Sequence, residues 1–220
     1  MLPGLNDGLN EREFDDHFRD NLKQLLRWRR DVRHFQTTPL PPETLAELLE
    51  LACLAPSVGY SQPWRFVKVD DPRRREAVLR NFTECNQDAL RDYSGSQAEA
   101  YASLKLAGLI EAPVHLAVFV DRLTTTGSGL GRKTIPATLD FSVVMSIHTL
   151  WLAARAYGVG VGWVSILNPA EIERIVEVPE AWSLIAYLCL GYPIEHQTVP
   201  ELEQRGWERK ADTSSLILQR

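Results

Sequence analysis

Cysteine is scarce in this chain. Cys53, Cys85 and Cys189 are odd in number and widely spaced, which excludes a disulfide framework and suits reduced core cysteines of a cytoplasmic protein. Metal motifs are missing as well. No CxxC or HExxH occurs, and the five histidines (17, 34, 115, 148 and 196) are scattered, so no metal site is expected. Apolar runs such as residues 184–190 are far too short to span a bilayer. The opening MLPGLNDGLNER lacks a basic region followed by an apolar stretch, so a secretory signal is not expected. Positive charge is also in deficit: Lys plus Arg is 24 against 29 for Asp plus Glu, a net −5. That balance argues against a nucleic-acid partner.

What is present is ordinary globular composition, 45% hydrophobic and 24% charged in 220 residues. With no repeat, low-complexity linker or second core evident, residues 1–220 read as one domain, with an N-terminal arm or helix over 1–20 and an extension over 199–220. Phe14, Phe18, Leu22, Leu25 and Leu26 recur at helical spacing and predict an amphipathic helix over 11–28. Helices are also expected at 43–55, 72–93, 97–110 and 169–176, and strands at 64–69, 115–120, 159–166 and 184–190. The helix over 139–157 is apolar almost all round, so it belongs in a core or a subunit interface. The tail beyond 199 is polar, with Trp207 as its main apolar anchor. The fold class is α+β, with a sheet in the middle and helices outside.

Two glycine-rich stretches invite a nucleotide-loop assignment and fail it. In TTTGSGLGRKT (124–134), Arg132 stands where a Walker loop needs glycine, and where the dinucleotide fingerprint needs its third. That stretch reads as a mobile surface loop or an active-site rim. In YGVGVGWVSI (157–166), glycines at every second position mark close approach by another backbone or a flat ligand. The acceptor pattern at Asn81 is read as chance, and His148 as a hydrogen-bonded core histidine. Trp64 and Trp163 flank candidate ligand segments, while the other tryptophans read as packing.

RWRRDVRHF (27–35) is harder to dismiss, with four arginines around one aspartate. Guanidinium forks match phosphate oxygens, so the cluster suits one small phosphate-bearing anion. Asp31, flanked by positive charge, is read as an ionised carboxylate, and hence a base or an arginine-orienting group.

RRDVRHF, APSVGYSQPWRFVKV, GVGVGWVSI, LCLGYP and a basic residue after Trp207 occur in the order typical of the nitroreductase-like flavoproteins. The resemblance runs from about residue 22 to 212. It is closer still to the branch of the 5,6-dimethylbenzimidazole synthases. In that branch Asp31 stands where nitroreductases commonly have Ser or Thr, Tyr60 replaces a frequent asparagine, and Ser165 is the second residue of flavin fragmentation.

The resemblance implies a mostly antiparallel sheet flanked by helices, with FMN at a homodimer interface. The expected activity is oxygen-dependent fragmentation of reduced FMN to 5,6-dimethylbenzimidazole, the lower ligand of vitamin B12, and erythrose 4-phosphate. FMNH2 is then consumed as substrate, O2 is the co-substrate, and a separate NAD(P)H-dependent reductase supplies the flavin. Asp31 and Ser165 would carry the chemistry, because breaking the ribityl C1′–C2′ bond needs a base. Arg29, Arg30 and Arg33, with Val32, would hold the phosphate and the ribityl or pyrimidine end. Ser57, Tyr60 and Gln62 would line the flavin, and Trp163, Val164, Ser165 and Ile166 would run along its ring edge where the glycines admit it. Lys210 stands where the family places a phosphate-binding arginine, and segment 94–110 would be a lid. The alternatives are an FMN-dependent NAD(P)H nitroreductase or quinone-type oxidoreductase, and a flavin carrier without chemistry.

Overall fold

The computed structural model describes residues 14–104 and 106–220. The start of the first expected helix and most of the N-terminal arm therefore lie outside the described residues. Among the described residues four strands, β1 Trp64–Lys68, β2 Val114–Asp121, β3 Gly160–Val164 and β4 Trp182–Gly191, form one sheet in the order β1-β2-β4-β3. Every pairing is antiparallel, with Trp64 opposite Val120, Val114 opposite Leu190 and Val161 opposite Leu190.

Both sheet faces are covered, which is why β2 is buried along its length except at Asp121. Its side chains alternate between two cores. Leu116, Val118 and Val120 point to helices α2 (Pro42–Ala52) and α5 (Thr138–Ala156). Ala117 and Phe119 point to α3 (Pro72–Leu90) and α6 (Pro169–Val176). The single core expected from composition is thus two, one per face. Helix starts follow local chemistry: Asp15, Asp71 and Asn168 accept from the backbone N–H groups of Phe18, Arg73 and Glu171. Pro72 and Pro169 occupy first-turn positions, where a missing N–H costs nothing.

Several expectations need correction. The helix expected over 97–110 is only α4, Gly95–Ala102. Beyond it the chain is drawn into the second core, where Leu109 and Ala112 are buried and a Cβ on Gly108 would meet the Phe35 ring at 2.4 Å. His148 is exposed, because α5 buries Val143, Ile147 and Leu150 on one side. The opposite side leaves Phe141, Val144 and Met145 at 55%, 40% and 43% exposure. The buried histidine is His115, whose Nδ1 lies 3.0 Å from the Tyr187 hydroxyl. Cys189 is a core cysteine, whereas Cys53 is exposed. The tail is anchored as expected: Trp207 packs against Tyr93 and Tyr101 with ring centroids 5.5 and 6.1 Å away. Among the described residues no helix is long and apolar enough to cross a membrane.

Candidate functional site

Helix α1 (Asp16–Trp28) ends at Arg29, whose backbone is extended and whose N–H donates to the Leu25 carbonyl at 2.9 Å. The chain then runs along the free edge of β3. Asp31 forms a parallel bridge with Val161, and the Val32 N–H donates to the Val161 carbonyl at 3.0 Å. The alternating glycines of β3 admit this backbone. A Cβ on Gly162 would sit 2.1 Å from the Val32 carbonyl oxygen, and one on Gly160 would meet the Val32 side chain at 2.8 Å. Of the two readings of GVGVG, a backbone and not a flat ligand occupies the glycine face.

This docking fixes the aspartate. Asp31 Oδ1 accepts from the Trp163 backbone N–H and Oδ2 from Arg33 Nε, both at 2.9 Å. Its side chain remains 30% exposed. A carboxylate has about four lone-pair positions, so two acceptor positions remain. Ser165 is exposed just past the end of β3, about 7 Å along the chain from Trp163 at the rise of a strand. Ile166 is half-buried. Val164 turns its side chain into the second core at 3% exposure, leaving its backbone alone for any ligand.

The three arginines differ in commitment. Arg33 pairs with Asp31. Arg30 donates to the carbonyls of Arg29, at 2.6 Å, and Thr198, tying the motif to the C-terminal segment. Its Nε is buried without a partner. Burial, then the neighbouring Arg29 and Arg155 charges, pull the Arg30 pKa below the ordinary guanidinium value. Arg29 forms no ion pair among the described residues, and its guanidinium lies 5.0 Å above the Trp151 ring. Arg30 lines three hollows, two of them large. One, about 470 Å³, includes Asp31, Arg33 and His34. The other, about 820 Å³, brings Arg27, Arg29 and Arg30 to Arg209 and Lys210. With Glu203 and Glu208 as its carboxylates, the second hollow keeps an excess of positive charge, and such a groove beside a held carboxylate can take a phosphate monoester at one end and accept a proton at the other.

Ser57, Tyr60 and Gln62 do not join that cluster within one chain. Gln62 precedes β1, at the opposite edge of the sheet from β3, so three strand spacings, roughly 14 Å, intervene. Their loop is held from several sides. Ser57 Oγ accepts from the Gln62 N–H at 3.1 Å, and Ser142 Oγ on α5 accepts from the Val58 N–H at 3.0 Å. A Cβ on Gly127 would come 2.1 Å from the Gly59 carbonyl. The glycine-rich loop is therefore a packed rim against this segment. Tyr60 is 76% exposed, and both it and Gln62 have positive φ.

Trp151, Arg209 and Thr198 escaped sequence reasoning. A tryptophan in an apolar helix looks like packing, and Thr198 acts through its backbone carbonyl. Arg209 had a visible signal, its position beside Lys210.

Residues 26–192 match the model of the nitroreductase family. A 5,6-dimethylbenzimidazole synthase of Rhodospirillum rubrum is 55% identical over 90% of this chain and 93% of its own length. One of Rhodobacter capsulatus is 46% identical over 91% and 97%. An iodotyrosine deiodinase crystallised with FMN and 3-iodo-L-tyrosine superposes with a TM-score of 0.68 at 27% identity, over 80% of this chain and 91% of that one. Matched along most of its length by both the family model and these synthases, the chain belongs to the nitroreductase family and groups with its 5,6-dimethylbenzimidazole synthase branch.

Proposed function

We propose that this protein is a 5,6-dimethylbenzimidazole synthase that consumes reduced FMN and O2 and releases erythrose 4-phosphate as the second product. The observation that carries this reading is Asp31. It is a carboxylate oriented by Arg33 and the Trp163 N–H, with free acceptor positions, in a hollow that shares Arg30 with the neighbouring arginine-rich groove. A nitroreductase that only passes electrons has no use for a base beside the ribityl chain. Reduced FMN supplies the electron-rich ring that reacts with O2. The residues present fit it: the groove with Arg29, Arg30, Arg209 and Lys210 would take the phosphate, and the unpartnered Nε of Arg30 is a donor in want of an acceptor. Asp31 would accept the proton released at the ribityl chain. Ser165, exposed past β3, would donate to or accept from the ring edge.

The site requires a second copy of the chain. Helix α5 holds the 57–62 loop through Ser142 and the arginine motif through Trp151, and these stand about 14 Å apart along its axis. Along the same length runs the exposed stripe of Phe141, Val144, Met145 and His148. A two-fold axis through that stripe lays two α5 helices antiparallel, and the Ser142 end of each then meets the Trp151 end of the other. Ser57, Tyr60 and Gln62 of one copy would thereby complete the groove of its partner. The exposed apolar face of α1, Phe18, Leu22 and Leu26, would add to this interface. A separate NAD(P)H-dependent reductase in the cytoplasm would supply FMNH2.

The test is aerobic incubation of the protein with FMN and a chemical reductant, followed by chromatography for 5,6-dimethylbenzimidazole. Stoichiometric loss of FMN with appearance of the product is expected. Flavin reoxidation with hydrogen peroxide alone, or steady NAD(P)H oxidation with an organic acceptor, would overturn the synthase reading.

A further inference from the structure

The arginine motif and the aspartate meet a common neighbour that neither expectation included. Trp151, half-buried on α5, donates its indole N–H to the Arg30 carbonyl at 3.0 Å. Its face carries the Arg29 guanidinium, 5.0 Å from the ring centroid. Its other neighbour is the Trp163 ring, at 6.3 Å and 40°, and the Trp163 backbone N–H is the donor that holds Asp31 Oδ1. One side chain therefore touches Arg29, which has no ion pair among the described residues, the backbone carbonyl between that arginine and Asp31, and the residue that orients Asp31. A rigid indole at such a junction fixes the distance between a phosphate anchor and a base, because neither can shift without losing a contact to it.

We propose that Trp151 is a positioning residue. It sets Arg29 and Asp31 in register, so that an anion gripped at one end presents its reacting bond to the carboxylate at the other. The inference rests on the synthase reading for the chemistry, and on the groove alone for the anion. Two contacts of Trp151 are separable: the ring face serves Arg29, and the N–H fixes the turn into Asp31.

Trp151→Phe keeps a face and removes the N–H, whereas Trp151→Leu removes both. With Trp151→Phe, FMN affinity by fluorescence titration should stay within about threefold of wild type. Its single-turnover yield of 5,6-dimethylbenzimidazole at saturating flavin should fall about tenfold, as for a lost hydrogen bond at a geometry-sensitive step. The lost yield should be recovered as FMN and hydrogen peroxide. Trp151→Leu should lower the yield similarly and weaken binding about tenfold as well, with Phe in place of Leu restoring affinity. Thermal melting of each variant accompanies the assay. Equal losses of affinity and yield in both variants, tracking the fall in Tm, would reduce Trp151 to packing and overturn the proposal, as would a Trp151→Phe protein with wild-type yield. If the wild-type protein makes no product, it is the synthase reading that fails. The affinity difference between Phe and Leu then still decides whether Trp151 orients Arg29.

Discussion

Asp31 is pinned through both carboxylate oxygens, which changes what the obvious substitution does. In Asp31→Asn the amide oxygen can still accept from the Trp163 N–H, but the new NH2 faces the Arg33 Nε–H that now bonds Oδ2. Two donors then oppose each other, and Arg33 must turn away. FMN affinity should remain within about threefold of wild type, because the groove proposed for the phosphate does not include Arg33, while product formation falls by roughly two orders of magnitude, as for a lost base. Wild-type turnover in Asp31→Asn would make the carboxylate a mere arginine partner. Arg29→Ala should act in the opposite sense, weakening flavin binding about ten- to a hundred-fold through one charge-assisted contact. Another residue-scale effect lies away from the site. Burial, and secondarily the Arg75 charge, depress His115 from its ordinary 6.5 to about 4 despite the nearby Asp70 carboxylate. The folded state therefore resists a proton that the unfolded chain binds, and stability is lost as pH falls from about 6.5 towards 4. The loss should amount to roughly 2–3 kcal/mol between pH 7 and 4.5. Urea unfolding at the two pH values should show it in wild type, with a smaller loss in His115→Gln. Equal losses in both proteins would exonerate His115.

At the scale of elements, the paired edge of β3 and segment 31–35 is the least forgiving part of the fold. Gly162→Ala should push the Val32 carbonyl off the strand, since the added methyl would lie 2.1 Å from it. We expect a loss of about 1–3 kcal/mol or more in unfolding free energy, together with loss of product. Gly206→Ala is the control: it has open space around it, though its own positive φ carries a backbone cost. Wild-type stability in Gly162→Ala would mean that segment 31–35 does not rest on that glycine. This edge also shows how far the sequence could be read. The β3 glycines announced a close approach, but spacing cannot distinguish a backbone from a flavin. Helix α6 was legible to its bounds because Asn168, Pro169 and an apolar period agree there. The helix expected over 97–110 was not, because Gly108 and Leu109 answer to Phe35 and a distant core and not to their neighbours in sequence. The residue pattern also marked α5 as apolar almost all round without saying that its two sides have different destinies. His148 was misplaced into the core for that reason. The arginine motif was visible as chemistry, whereas Trp151, Thr198 and the division of labour among the arginines depend on contacts that no local pattern encodes.

At the scale of the whole molecule, the decisive feature is the separation of the Asp31 cluster and the 57–62 loop to opposite edges of the sheet. A site shared across a two-fold axis makes a prediction that a self-contained site does not. Asp31→Asn spoils the base in one half-site, and Gln62→Ala spoils the other half-site, on the loop held by Ser142. Each homodimer then has both of its composite sites damaged. In a mixed dimer with shared sites both lesions would fall into one of the two sites, because the Asp31 of each chain would work with the Gln62 of its partner. The other site is assembled from undamaged halves. Random co-expression of the two variants makes about half of the dimers mixed, each with one intact site, so product should return to about a quarter of the wild-type yield per chain. If each site were built within one chain, no mixture could restore activity beyond the average of the two variants. The same measurement on a Met145→Asp background, which places a charge in the exposed stripe of α5, should show no recovery, with the protein running as a monomer by light scattering. Recovery in a monomer would place the site within one chain and remove the two-fold arrangement drawn from α5.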